Sequence, residues 1–233
     1  MCKSFEVWKT AQYYEGQYWN SRSVDPVGFI HDLDGNFALA QLIASNLLDQ
    51  QGVATVLEIG VGGLGIGLLW LFPAARLRTG LDPLRLRSMH SGNPFADSIV
   101  RLARHQNRYC TAKGESLPFP DSVFDVVICN NVLDHSEAPE NILKEVHRVL
   151  QANGRLALGV DTSSIMGLFL RSLARHICKN SGSFLLHPWD FRFYQLSTLL
   201  RRTGFCIVAQ TAPTMKGRIA GRRRRSCWIC RKP

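Results

Sequence analysis

The 233-residue chain contains no apolar run of the roughly 20 residues that a bilayer-crossing helix needs, so no membrane-spanning element is expected. Its N-terminus, Met1-Cys2-Lys3-Ser4-Phe5-Glu6, is polar where a signal peptide is apolar, which makes the cytoplasm the expected address. Seven cysteines cannot all pair within one molecule, and in a reducing compartment they are expected to remain thiols. Cys110, Cys129, Cys178 and Cys206 lie in apolar sequence and are expected in the core. The lone C-x-x-C, Cys227-Trp228-Ile229-Cys230, lacks two further ligands at zinc-site spacing. It also alternates like a strand instead of opening a helix, so neither a metal site nor a redox pair is read from it.

Acidic residues are scarce, 18 against 28 Lys and Arg, and the surplus is not spread evenly. Arg201, Arg202, Lys216, Arg218 and the run Arg222-Arg223-Arg224-Arg225 crowd the last part of the chain. Such a cluster suits an anionic membrane surface, nucleic acid or an acidic partner. It is equally the composition of a solvated hairpin between two strands. A hydrophobic content of 45% is ample for one α/β core, and residues 1–233 are read as one domain.

The segment Val56-Leu57-Glu58-Ile59-Gly60-Val61-Gly62-Gly63-Leu64-Gly65 carries the strongest local signal. An apolar strand ends on an acid and runs into glycines that are expected to open a helix, where the main chain can lie directly against a ligand. Gly60, Gly62 and Gly65 fit the G-x-G-x-x-G spacing, which leaves a nicotinamide or flavin site open. Glu58 repels a pyrophosphate and suits a cation such as an amino-acid ammonium. The second strand ends at Asp82, 24 residues on, where a ribose-binding carboxylate belongs.

The stretch from Ala112-Lys113-Gly114-Glu115-Ser116-Leu117-Pro118-Phe119 through Phe124-Asp125-Val126-Val127 to Asn130-Asn131-Val132-Leu133-Asp134-His135 adds a second signal, and Asn141 to Gly154 a third. Together they resemble the class I S-adenosylmethionine-dependent methyltransferases, in the branch that includes ubiquinone and menaquinone biosynthesis and many small-molecule enzymes. The resemblance covers residues 36–160 well and the last strands loosely. It implies a Rossmann-like α/β sandwich with a mostly parallel seven-stranded sheet and a C-terminal antiparallel hairpin. It implies S-adenosyl-L-methionine as cofactor, held by Glu58, Gly60, Gly62, Asp82, Gly114, Glu115 and Asn130. Two positions depart from the family: Leu64 stands where it has a third glycine, and Lys113 where many members have an acid that accepts from adenine. A lysine cannot accept that bond.

Strands are expected at 54–59, 77–82, 107–112, 124–130, 154–160, 205–210 and 227–231, with a helix from Phe37 to Leu48. Alternating strands and helices imply a parallel sheet with its ligand site at the C-terminal strand ends. The aromatic-rich N-terminal segment, within 1–35, shows no long apolar helical period; it is read as a lid or as a terminal helix packed on the domain. Residues 161–194 form an insertion whose apolar positions, Ile165, Met166, Leu168, Phe169, Leu170, Leu173 and Ile177, suit a lid, a membrane-surface helix or core packing.

Methyl transfer from a sulfonium is an in-line displacement, so alignment and exclusion of water are the protein's main tasks. A hydroxyl acceptor also needs a base, and His135, just past the fourth strand, is the best-placed catalytic candidate. Asp134 and His187 are weaker alternatives, and Tyr14 and Trp189 are candidates for lining an acceptor pocket. The expected function is methylation of a small-molecule or lipid-like acceptor at oxygen or carbon. A nucleic-acid methyltransferase and an inactive binding protein stand as alternatives; Asn130-Asn131-Val132-Leu133 does not match the N-P-P-Y motif of amino-group methylating enzymes.

Overall fold

The computed structural model describes residues 5–34, 36–48, 52–170, 187–211 and 224–233. Helices α1 (Phe5–Arg22), α2 (Pro26–Asp34) and α3 (Phe37–Leu47) precede strand β1 (Thr55–Ile59). Strand β2 (Leu77–Asp82), helix α4 (Pro94–Arg104), β3 (Arg108–Thr111), β4 (Phe124–Asn130), α5 (Pro139–Val149) and β5 (Leu150–Thr162) follow. Helix α6 (Phe193–Arg202) and strands β6 (Cys206–Thr211) and β7 (Arg224–Arg231) complete the described elements.

The sheet order is β3-β2-β1-β4-β5-β7-β6, with β7 antiparallel to both β5 and β6 and the other strands running one way. The expected mostly parallel sheet with a terminal antiparallel pair is therefore present. Strand side chains alternate between faces. Val127, Cys129, Leu156, Leu158 and Trp228 pack in one buried cluster with Leu143 and Val146 of α5 and Leu196 and Leu200 of α6. Val126, Ile128, Ala157, Cys227 and Ile229 pack in a second with Leu39 and Ile43 of α3. Cys227 and Cys230 thus belong to opposite faces of the sheet and cannot share an ion or a disulfide without unravelling β7. Cys206, expected in the core, is exposed on the edge strand, and Cys178 lies outside the described residues.

Local chemistry sets the helix starts. Asn93 accepts from the Phe95 and Ala96 amides at 3.0 and 3.3 Å, ahead of Pro94 in the first turn of α4. For α5 the acceptor comes from another loop: Glu115 Oε1 receives the Glu137 and Ala138 amides at 2.9 and 3.3 Å. Arg148, at the far end of α5, donates to the Leu117 and Phe119 carbonyls and pairs with Asp121 and Glu145, fixing the 115–121 loop against the helix.

One element differs from expectation. The glycine loop opens no α-helix; the chain turns over 62–65 and makes only a 3-10 turn, Leu69–Leu71, before Phe72. Pro73 explains this, because it disfavours helical geometry at the residue before it and leaves too few residues for an α-helix. The aromatic-rich stretch near the N-terminus lies in the 18-residue helix α1. In the insertion, the described part of the apolar stripe is not core: residues 165–170 are helical, with Ile165, Met166, Phe169 and Leu170 exposed. Leu173 and Ile177 fall outside the described residues.

Candidate functional site

A cavity of about 510 Å³ opens at the C-terminal ends of β1, β2 and β4, and Glu58, Gly60, Gly62, Asp82, Gly114, Glu115, Asn130 and His135 all line it. That volume suits a ligand of nucleoside-conjugate size.

The floor is the glycine loop. Gly60 and Gly62 have φ of +79° and +68°, a region that costs other residues strain. A Cβ on Gly60 would collide with Val132, and one on Gly62 with the Trp19 ring. Leu64, the departure from the family pattern, is fully buried against Ile66, Met89, Ala96 and Val100, so it anchors the loop to α4. Arg104 Nε reinforces that anchor by donating to the Leu64 carbonyl at 2.8 Å.

The two acids brace this loop. Both Glu58 oxygens accept from the Leu68 amide, at 2.8 and 2.7 Å, and Oε2 also accepts from Leu69 at 3.1 Å. Its carboxylate lies so close to Gly67 that a side chain there would clash. Burial pushes the Glu58 carboxyl up to about 8, although the two amide bonds pull the other way. Asp82 accepts from the Gly62 amide through Oδ2 and the Leu84 amide through Oδ1, both at 2.8 Å. Burial raises it to about 6 against those bonds. The acids therefore shape the loop with one set of lone pairs while lining the cavity.

On the next wall, Gly114 backs onto Ile59 and Ile142, and Glu115 lines the cavity while capping α5. Lys113 reaches across to Glu137 at 3.3 Å and lies 3.7 Å from the centre of the Trp8 ring. Where an adenine-accepting acid would stand, the lysine instead ties this wall to α1. Asn130 donates to Asn36 Oδ1 and accepts from Arg225 Nη1, each at 2.7 Å. Arg225 also pairs with Asp161 at 3.0 Å and lines the cavity. In β7 Arg225 sits opposite Asp161 of β5. Arg222 and Arg223 lie outside the described residues, as do Lys216 and Arg218.

Helix α1 closes the remaining side. Glu15 Oε2 stands 3.4 Å from His135 Nδ1, and Glu15 Oε1 accepts from the Trp19 indole at 3.0 Å. Burial alone would raise the Glu15 carboxyl, but the hydrogen bonds from His135 and Trp19 and the nearby histidine charges hold it below its ordinary value. His187 Nδ1 lies 2.9 Å from Asp134 Oδ2, and the two histidine rings are 4.3 Å apart. Tyr14 and Trp189 do not line the cavity: Tyr14 packs edge-on against Tyr13, and the Trp189 indole donates to the Ser136 carbonyl at 2.8 Å.

Sequence reading missed Trp8, Gln12, Glu15 and Trp19, which all line the cavity. Their spacing is that of one helical face, but the stripe mixes aromatic and polar residues and escapes a search for apolar period. Asn36, Asp161 and Arg225 were missed because their pairing is set between distant strands and helices.

A mostly parallel sheet with one reversed strand and a ligand-sized cavity over the ends of β1, β2 and β4 is a Rossmann-like arrangement. Residues 57–158 match the methyltransferase domain family. An uncharacterized methyltransferase of Mycobacterium sp. (strain JLS) is 34% identical over 111 residues, covering 46% of this chain and 38% of that protein. The chain spans 38% of the length of the first curated relatives it matches. The YcgJ protein of Bacillus subtilis has a similar fold, with a TM-score of 0.57, 17% identity and coverage of 84% and 95% of the two chains. So does the magnesium protoporphyrin IX methyltransferase of Synechocystis PCC 6803, solved with bound SAH (S-adenosylhomocysteine): TM-score 0.55, 17% identity, coverage 87% and 83%.

Proposed function

We propose that the chain transfers the methyl group of S-adenosylmethionine to a small-molecule or lipid-like acceptor, at oxygen or carbon. The observation that carries this reading is the meeting of all eight expected site residues on one cavity. In this reading Asp82 accepts the ribose hydroxyls, Gly114 and Glu115 flank the adenine, and Gly60 and Gly62 let the methionine portion lie on the main chain beside Glu58. The acceptor enters between α1 and the 187–192 segment, beside His135. Its nucleophilic atom attacks the methyl carbon as the sulfonium bond breaks; the proton of a hydroxyl acceptor passes to His135, and S-adenosylhomocysteine leaves.

Among the described residues no helix is long and apolar enough to cross a membrane. The exposed Ile165, Met166, Phe169 and Leu170 support a surface that meets a lipid-like acceptor or a membrane. The test is mass spectrometry of small molecules and lipids from cells with and without the protein. The reading predicts a species heavier by one methyl group that disappears with His135→Ala, a base removal worth about 10²–10⁴ in rate. Methylation appearing on RNA or DNA alone, or binding of the cofactor with no methylated product, would replace it with one of the alternatives.

A further inference from the structure

We propose that Asp134, His135 and His187 form a binding site for a first-row divalent metal ion, open toward the cavity. Each offers one ligand atom, and the three atoms lie within 4.8 Å of one another. His187 Nδ1 and His135 Nε2 stand 2.9 and 3.9 Å from Asp134 Oδ2. Zinc bonds of about 2.0–2.1 Å put neighbouring tetrahedral ligand atoms roughly 3.4 Å apart, so the two observed separations bracket the ideal one. Small side-chain rotations would seat the ion, with the Asn131 amide nitrogen, now 3.3 Å from His135 Nε2, giving way.

Three further features fit an ion. The scaffold is fixed without it: the Trp189 amide donates to the Asp134 carbonyl at 3.2 Å and its indole to the Ser136 carbonyl at 2.8 Å, which holds the His187 turn against the loop after β4. Glu15 Oε2 faces His135 Nδ1, the other ring nitrogen. That is the carboxylate–histidine–metal arrangement in which an outer acid orients the ligand. Asp134 is fully buried while both histidines line the cavity, so the triad stands at the wall of the space where an acceptor would sit. Three protein ligands with one open position is the pattern of catalytic metal sites, and two imidazoles with one carboxylate select zinc, cobalt, iron or nickel over magnesium or calcium.

The role of the ion rests on the methyl-transfer reading. A hydroxyl in the open position is acidified by the metal, its proton passes to solvent, and its oxygen electron pair displaces the methyl carbon from the sulfonium. In the metal-loaded protein His135 serves as ligand, and the metal-free protein keeps it as proton acceptor.

The experiment is metal-stripped protein titrated with cobalt(II), followed by its visible absorption, and with zinc(II), followed by metal content after gel filtration. Wild type and a Cys227→Ser/Cys230→Ser variant should each hold one equivalent. His187→Ala and Asp134→Asn should lose at least about tenfold in affinity. Calorimetry with S-adenosylhomocysteine is run on the same samples and should be unchanged in His187→Ala, which also shows that the variant is folded. If His187→Ala does not fold, Asp134→Asn and Glu15→Gln decide the matter in the same titrations. Sub-stoichiometric metal in wild type, equal binding by the histidine and aspartate variants, or loss of metal with the cysteines would overturn the site. Metal binding without cofactor binding would leave the site standing and remove the methyltransferase reading instead.

Discussion

Replacing Asp82 by alanine separates loop bracing from ligand binding. The carboxylate is buried and accepts from the Gly62 and Leu84 amides, each at 2.8 Å. Its loss leaves two donors without that acceptor, at about 1–3 kcal/mol each if water does not replace it. Against this, the rise of the Asp82 carboxyl from 3.8 to about 6 means that ionising it in place costs about 3 kcal/mol, and alanine carries no such cost. The two effects oppose each other, so at neutral pH the melting temperature should move by only a few degrees. The cofactor has no such compensation. Ribose hydroxyls deprived of a charged acceptor lose roughly 1.5–3 kcal/mol, and Kd for S-adenosylhomocysteine should rise by about one to two orders of magnitude. Isothermal calorimetry on Asp82→Ala and Asp82→Asn reads this directly, and the asparagine, which keeps one acceptor, should fall between. A loss below about threefold in an alanine variant that melts normally would show that the ribose is held elsewhere.

Three more outcomes are expected. Gly60→Val should abolish cofactor binding, since it meets both a positive φ and the Val132 side chain; unchanged affinity in a folded variant would take the loop out of the site. Glu58 holds its proton more tightly folded, at about 8, than unfolded, near 4.5, so its contribution to stability is complete below the lower value and lost as pH rises through the upper one. Glu58→Gln should therefore flatten the fall of melting temperature across that window. An identical pH profile would mean the acid is not buried in solution. If residues before Arg225 meet anionic lipid, neutralising Arg222, Arg223 and Arg224 should weaken vesicle binding by an amount that shrinks with salt, while Arg225→Met should disturb the cavity wall instead. Equal partition onto neutral and anionic vesicles would leave the run a solvated face.

The strand ends were legible because their signals are local: Glu58, Asp82 and Asn130 each close an apolar run, and the parallel direction of the first five strands follows from the alternation of strands and helices. The helix expected after Gly65 was not formed, and Pro73 was the overlooked signal. Trp19, which covers Gly62 and donates to Glu15, was obscured because its helix presents aromatic and polar groups to the cavity where a core helix presents only apolar ones. Arg225 read as one of four like charges. Only the antiparallel register that sets it against Asp161 separates it from its neighbours, and register between strands more than sixty residues apart is not a local property.

On this reading the cavity above Gly60 and Gly62 takes an adenosyl sulfonium cofactor. Calorimetric titration of the purified protein with S-adenosylmethionine, S-adenosylhomocysteine and NAD tests it most directly. One saturable site is expected for each adenosyl compound and no heat of binding for NAD, because an ammonium beside the buried Glu58 carboxyl favours its ionised form whereas a pyrophosphate disfavours it. Saturable NAD binding with neither adenosyl compound bound would contradict it.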